Sequence, residues 1–102
     1  MRRPVTWARE ALDDMREQLA FIAQDNPAAA RRVADRLRET GEALGEIATG
    51  RPGRVSGTYE KSVTGLPSII SYELRPIGCR ECVVILRVIH TARDWPTEEW
   101  PH

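Results

Sequence analysis

Lysine is almost missing from this chain: fourteen of the fifteen basic residues are arginine, and Lys61 is the exception. Cysteine is nearly as scarce. Cys79 and Cys82 alone cannot form a disulfide scaffold, and so low a count agrees with a reducing compartment. Long hydrophobic runs are also absent. The longest, Cys82 to Leu86, is stopped by Arg87, far short of the ~20 apolar residues that span a bilayer. The opening MRRPVTWAREAL has positive charge but no apolar h-region, so it does not read as a secretory signal and a cytoplasmic location is expected. No low-complexity tract or internal repeat is visible.

What is present is ordinary globular material. A hydrophobic fraction of 41% and a charged fraction of 29% exclude global disorder and fibrous repeats. At 102 residues one domain, 1–102 with a tail from about 94 to 102, is expected. Such a domain can bury roughly 65% of its unfolded surface. Net charge is zero but unevenly spread: residues 1–49 carry eight basic against nine acidic groups, residues 50–93 seven against three, and residues 94–102 only acidic ones. The basic part is therefore the second half, and its arginines suit planar recognition of phosphate or carboxylate.

Val5 and Trp7 alternate with polar neighbours and predict a short opening strand, with Thr6 as a helix cap. Ala8, Ala11, Leu12, Met15, Leu19 and Ile22 then recur at spacings of three and four, one helical stripe with Asp13, Asp14, Glu17 and Gln24 turned away. Phe21 falls off that stripe and is a candidate partner contact. Asn26-Pro27 starts a second helix, since Asn caps orphan N–H groups and proline at the first position gives up a donor that had no partner. Its stripe is Ala30, Val33, Ala34, Leu37, Gly41 and Leu44, and its glycines should end it between Ala43 and Gly50. A short turn between the two makes an antiparallel hairpin.

Arg51-Pro52-Gly53-Arg54 has the type II turn pattern, ending helical territory and launching a sheet. Alternation from Thr58 to Val63, then Ser68 to Leu74, then a turn over Pro76 to Glu81 and a strand from Cys82 to His90 complete the order βααβββ. The expected fold class is thus α+β, with the helix hairpin on one face of a mainly antiparallel sheet. The last strand, CVVILRVIH, lacks clean alternation, as a strand covered on both faces would. The helices cover one face; uncovered apolar surface on the other hints at a protein partner.

The run Trp7, Ala11, Asp14, the NPAAA that opens helix two, GRPGRVSGTYE, LPSIISYEL and VVILRVIHTARDWP resemble the RelE/ParE superfamily of type II toxin-antitoxin toxins, in order along the whole chain. The resemblance implies a small toxin with two helices on a four- or five-stranded sheet. It also implies neutralisation by a cognate antitoxin whose C-terminal segment wraps the toxin in a hetero-oligomer. RelE-like members cut mRNA in the ribosomal A site, whereas ParE-like members poison DNA gyrase, and fold alone does not choose between them. No cofactor, metal or membrane is implied.

RelE-type cleavage needs a base for the 2′-hydroxyl, an acid for the leaving oxygen and cations for the scissile phosphate. The lysine cluster of that branch is missing here. Arg54, Arg87, His90 and Arg93 are the replacements, with Glu60 as a possible base; strict alternation would point Arg87 and His90 apart unless a bulge intervenes. GRPGRVSGTYE and ILRVIHTARDWP resemble the ParE-like branch more closely, so gyrase poisoning is the favoured activity and ribosome-dependent mRNA cleavage the alternative. A non-toxic partner-binding relative is a further one. Under the favoured reading Arg51, Arg54, Tyr59, Arg87, Arg93 and Trp95 are the candidate contacts to target or antitoxin.

Plainer roles stand beside each. Arg87 can be a structural arginine paired with Glu60 or Glu73, His90 a strand-end cap, and Arg51 and Arg54 solvated turn residues. Cys79-Arg80-Glu81-Cys82 has the spacing of half a zinc site, but only His90 and His102 could complete it. An incidental turn thiol and a small apolar strand residue is the simpler account. Trp95 suits a latch folding the tail over the sheet, or an interface anchor.

Overall fold

The computed structural model describes residues 2–78 and 80–91. Along the chain run β1 (Val5–Trp7), α1 (Arg9–Asp25), α2 (Pro27–Ala43), β2 (Arg51–Pro52), β3 (Tyr59–Ser62), β4 (Ser68–Ile77) and β5 (Arg80–His90). The strands form one sheet in the order β1-β5-β4-β3-β2. Among the described residues only β1 runs parallel to its neighbour, so the sheet is mainly antiparallel. The expected α+β architecture is present, with β2 added at an edge. Arg93, Trp95, Trp100, Cys79 and the tail lie outside the described residues.

Asn26 makes the helix hairpin. Its backbone N–H closes α1 by donating to the Ile22 carbonyl at 2.9 Å, while its side-chain oxygen accepts from the Ala29 N–H at 3.0 Å, and Pro27 follows at the first position of α2. Thr6, expected as the cap of α1, lies in β1 instead; Ala8 holds the cap position without a side-chain bond. The face that α1 buries is also rotated from the expected one. Ala11, Asp14 and Gln18 are buried, whereas Leu12 is 37% exposed.

Two turns fall elsewhere than the sequence indicates. Arg51 and Pro52 are paired with Glu60 and Tyr59 as a short edge strand. The reversal follows them, with the Gly53 N–H donating to the Thr58 carbonyl at 2.8 Å and the Thr58 N–H to Val55 at 3.0 Å. Gly50 permits this route: its φ is +137°, and a Cβ there would sit 2.7 Å from the Glu60 carbonyl oxygen. The β4–β5 hairpin is also longer than expected, with Pro76 opposite Glu81 and Ile77 opposite Arg80. Pro76 is tolerated because β3 reaches only to Tyr72 along β4, so no third strand needs its missing N–H.

Leu37, Leu44, Val63, Ile70, Tyr72, Val83, Ile85 and Val88 fill the space between helices and sheet. Gly41 lets α2 approach closely, since a Cβ there would lie 2.4 Å from the Trp7 ring and 2.9 Å from Ile85. The opposite sheet face is not the open apolar surface expected. Ile69, Cys82, Val84 and Ile89 are each between 5 and 9% exposed, and Ile69 and Ile89 pair across the strands and cover one another. Exposed large apolar side chains are found instead at Leu12, Phe21, Ile47 and Ile77.

Candidate functional site

The ladder of β4 on β5 slips once. Ser71 pairs with Arg87 but Tyr72 pairs with Ile85, so Leu86 is an extra residue in β5. The slip changes the phase of the strand. Val88, opposite Ile70, joins Val83 and Ile85 on the helix side, and His90, opposite Ser68, follows it. Strict alternation would have placed Val88 and His90 with Cys82 and Val84.

Among the described residues the β5 edge past this slip has no strand beside it, because β1 pairs with Val83 to Ile85. Two side chains of α1 supply what a strand would. The Val88 N–H donates to Asp14 Oδ2 at 3.0 Å, and Gln18 Nε2 donates to the Val88 carbonyl at 2.9 Å. Asp14 also receives Arg87 Nε at 2.7 Å and Nη2 at 2.9 Å, the fork geometry of a bidentate pair. Hydrogen bonding to Asp14 raises the Arg87 pKa, burial lowers it, and attraction to Asp14 and Glu10 adds to the rise. The plain pairing of Arg87 with Glu60 or Glu73 is therefore replaced by one with Asp14.

Glu60 lies two strands away, on β3. In the ladders Glu60, Ser71 and Arg87 stand abreast on β3, β4 and β5, which separates the outer two by on the order of 10 Å. Glu60 is only 9% exposed. Its carboxylate accepts from the Arg54 N–H at 3.2 Å and lies 3.9 Å from the Arg51 guanidinium. It thereby organises the loop between β2 and β3, leaving the side chains of Arg51 and Arg54 exposed. Tyr59 stacks on Tyr72 at a centroid distance of 5.5 Å, and the Tyr72 hydroxyl donates to the Thr49 carbonyl at 2.6 Å. Burial raises the Tyr72 pKa, the neighbouring Tyr59 adds to the rise, and Arg3 opposes it.

The structure thus brings Arg51, Arg54 and Glu60 together and holds Arg87 apart from them, on β5 against Asp14 of α1. Sequence reasoning missed Asp14 and Gln18. A signal existed: Ala11, Asp14 and Gln18 repeat at steps of three and four, a helical face that includes the carboxylate. Among the described residues no group of three metal-ligating side chains occurs, and no helix is long and apolar enough to cross a membrane.

Residues 5–95 match the family described as ParE toxin of type II toxin-antitoxin system, parDE. The chain belongs to the ParE toxin family. It is 38% identical over 96 residues to "Putative toxin Y4kP" of Sinorhizobium fredii, covering 93% of this chain and 95% of that protein. The fold is similar to that of a chain solved from the "Chromosomal ParDE TA system from P. aeruginosa", with a TM-score of 0.78 at 20% identity, covering 86% of this chain and 95% of that one. Membership in the ParE family agrees with the branch that the sequence segments resemble, and it implies an antitoxin partner.

Proposed function

We propose that this ParE-family chain arrests growth by poisoning DNA gyrase and is neutralised by a cognate antitoxin. The observation that supports this over RNA cleavage is the engagement of Arg87. A nuclease of RelE type needs its cations aimed at the scissile phosphate. Here the Nε and Nη2 donors of Arg87 are held by Asp14, which turns the guanidinium toward α1, and the candidate base Glu60, two strands away on β3, is buried against Arg51 and the Arg54 N–H. The exposed, arginine-bearing loop from Arg51 to Arg54 is the surface this reading assigns to the target.

The test is a split assay on the purified chain, freed from antitoxin. Gyrase supercoiling, with a readout for trapped cleaved DNA, is run beside primer extension on mRNA in a translating extract. Trapped cleaved DNA with intact message is the expected result. Message cut at codon positions with gyrase untouched would replace the proposal with the mRNA interferase reading.

A further inference from the structure

The β4–β5 hairpin continues past both of its neighbours. β3 pairs no further along β4 than Tyr72, and β1 begins opposite Val83, so the rungs from Arg75–Cys82 to Ile77–Arg80 have a strand on neither side among the described residues. From Tyr72 to Ile77 this ribbon extends about 17 Å beyond the end of β3. Its base is fixed, because Leu74 packs on the core and Arg3 Nε donates to Glu81 at 2.6 Å. Its outer part is bare. Arg75, Pro76, Ile77, Gly78 and Arg80 are exposed, and a Cβ built on Gly78 would meet nothing within 4 Å.

Residues opposite one another in a ladder share a face. The alternation that turns Tyr72 and Leu74 toward the helices therefore places Ser71, Glu73, Arg75 and Ile77 on the opposite face, with Arg80 beside Ile77 and with Arg51 and Glu60 in line with Ser71. Both signs of charge occur there. Glu73 holds Arg75, and Glu60 is buried beside Arg51. Arg80 has no carboxylate within 4.0 Å among the described residues, so the outward charge of this face is positive. Ile77, 53% exposed, stands on it between Arg75 and Arg80, an apolar centre within a polar rim. Pro76 and the charged neighbours make the ribbon edge a poor template for strand addition, which leaves the side chains of this face to make the contacts.

We propose that the outer end of this ribbon belongs to the surface that engages the toxin's protein target, with Ile77 entering an apolar pocket and Arg80 meeting a carboxylate at its rim. The inference rests on the proposed action on gyrase and extends its contact surface beyond the Arg51–Arg54 loop. The two are continuous: Tyr59, the first residue of β3, faces Tyr72, so the loop before it leads toward the Glu73 end of β4. A protein surface fits this patch better than a nucleic acid, whose phosphates would use the arginines and leave Ile77 in water.

The experiment compares the full wild-type chain with Ile77→Ser and Arg80→Glu in gyrase supercoiling, in affinity for the purified cognate antitoxin and in thermal melting. Each variant should need about tenfold more protein for half-maximal inhibition, the effect of one lost apolar anchor or one lost interfacial pair. Antitoxin affinity and Tm should stay at the wild-type values. Raised salt should shrink the deficit of Arg80→Glu and leave that of Ile77→Ser in place. Wild-type inhibition by both variants overturns the proposal. So does a deficit that tracks Tm, which would make the ribbon scaffold, or an equal loss of antitoxin affinity, which would assign the ribbon to the antitoxin. A deficit in Arg80→Glu alone, matched by lost binding to a DNA duplex without gyrase, would replace the protein pocket with a DNA contact. Failure of the wild type to inhibit supercoiling sinks the gyrase reading by itself, and growth arrest on expression then decides the ribbon: arrest lost in both folded variants upholds it, and arrest retained overturns it.

Discussion

Asp14 on α1 and Arg87 on β5 are joined by two hydrogen bonds of 2.7 and 2.9 Å, although 73 residues separate them. The same carboxylate accepts the Val88 N–H. One side chain therefore ties helix to sheet and satisfies a backbone donor that the slip at Leu86 leaves without a strand partner. Val88 is fully buried and the Arg87 side chain largely so, and an unmet donor there would carry the desolvation cost.

Asp14→Ala should accordingly destabilise the fold by about 2–4 kcal/mol, since it strands a largely buried guanidinium and a buried N–H together. Arg87→Ala should cost less, because Asp14 keeps the Val88 N–H. A double-mutant cycle by urea denaturation checks this, with a coupling of about 1–3 kcal/mol expected. A coupling near zero would show that the pair does not join helix to sheet.

Elements with local chemistry were legible in the sequence. The Asn26-Pro27 start of α2 needs only neighbouring residues, and the alternation of β3 needs only its own. The slip at Leu86 was not legible, because a bulge is decided by the partner strand and by what waits at its edge. The inward position of Asp14 is hidden for a related reason: its polarity suggests an outward face, whereas its spacing from Ala11 and Gln18 matches the buried one. Pro52-Gly53 favours a turn at that point, but pairing with β3 prevails and the reversal falls past Gly53. The candidate cluster suffered most. Whether Arg87 meets Glu60 or Asp14 depends on strand order and on α1, neither of which residue type reveals.

Gly41→Ala sets two effects against each other. Alanine is favoured over glycine in a helix by about 1 kcal/mol. The added methyl would lie 2.4 Å from the Trp7 ring and 2.9 Å from Ile85, which is overpacking with a cost of about 1–3 kcal/mol. A net loss of stability is expected, visible as a lower Tm. A raised Tm would mean that Trp7 swings away freely.

Tyr72→Phe removes the donor to the Thr49 carbonyl but keeps the stack on Tyr59. A loss of about 1–2 kcal/mol at neutral pH is expected. The hydroxyl also sets an alkaline limit. Its folded pKa is raised, chiefly by burial, so folding favours the protonated form. This contribution is fully present below the ordinary tyrosine value of about 10 and is lost as pH rises from there through the folded value. Chemical denaturation between neutral pH and the alkaline limit should show wild type losing stability above about pH 10 more steeply than Tyr72→Phe. Parallel curves would exclude Tyr72 as the titrating group.

The last prediction separates binding from scaffolding in the arginine loop. Arg51 and Arg54 are exposed, while Glu60 beneath them is buried and bonded to the Arg54 N–H. Reversing both arginines should lower Tm modestly, because Arg51 is exposed but Glu60, 3.9 Å away and buried, would then face a like charge. If the loop meets gyrase, the same R51E/R54E variant should need about tenfold more protein for half-maximal inhibition of supercoiling. Glu60→Gln should behave differently. It keeps an acceptor for the Arg54 N–H but loses the charge, so a smaller shift in inhibition is expected with a stability loss of about 1 kcal/mol. Inhibition unchanged in R51E/R54E would remove this loop from the target surface. Inhibition lost in both variants in proportion to their Tm would reduce the loop to scaffold, because a contact residue must affect inhibition more than it affects folding.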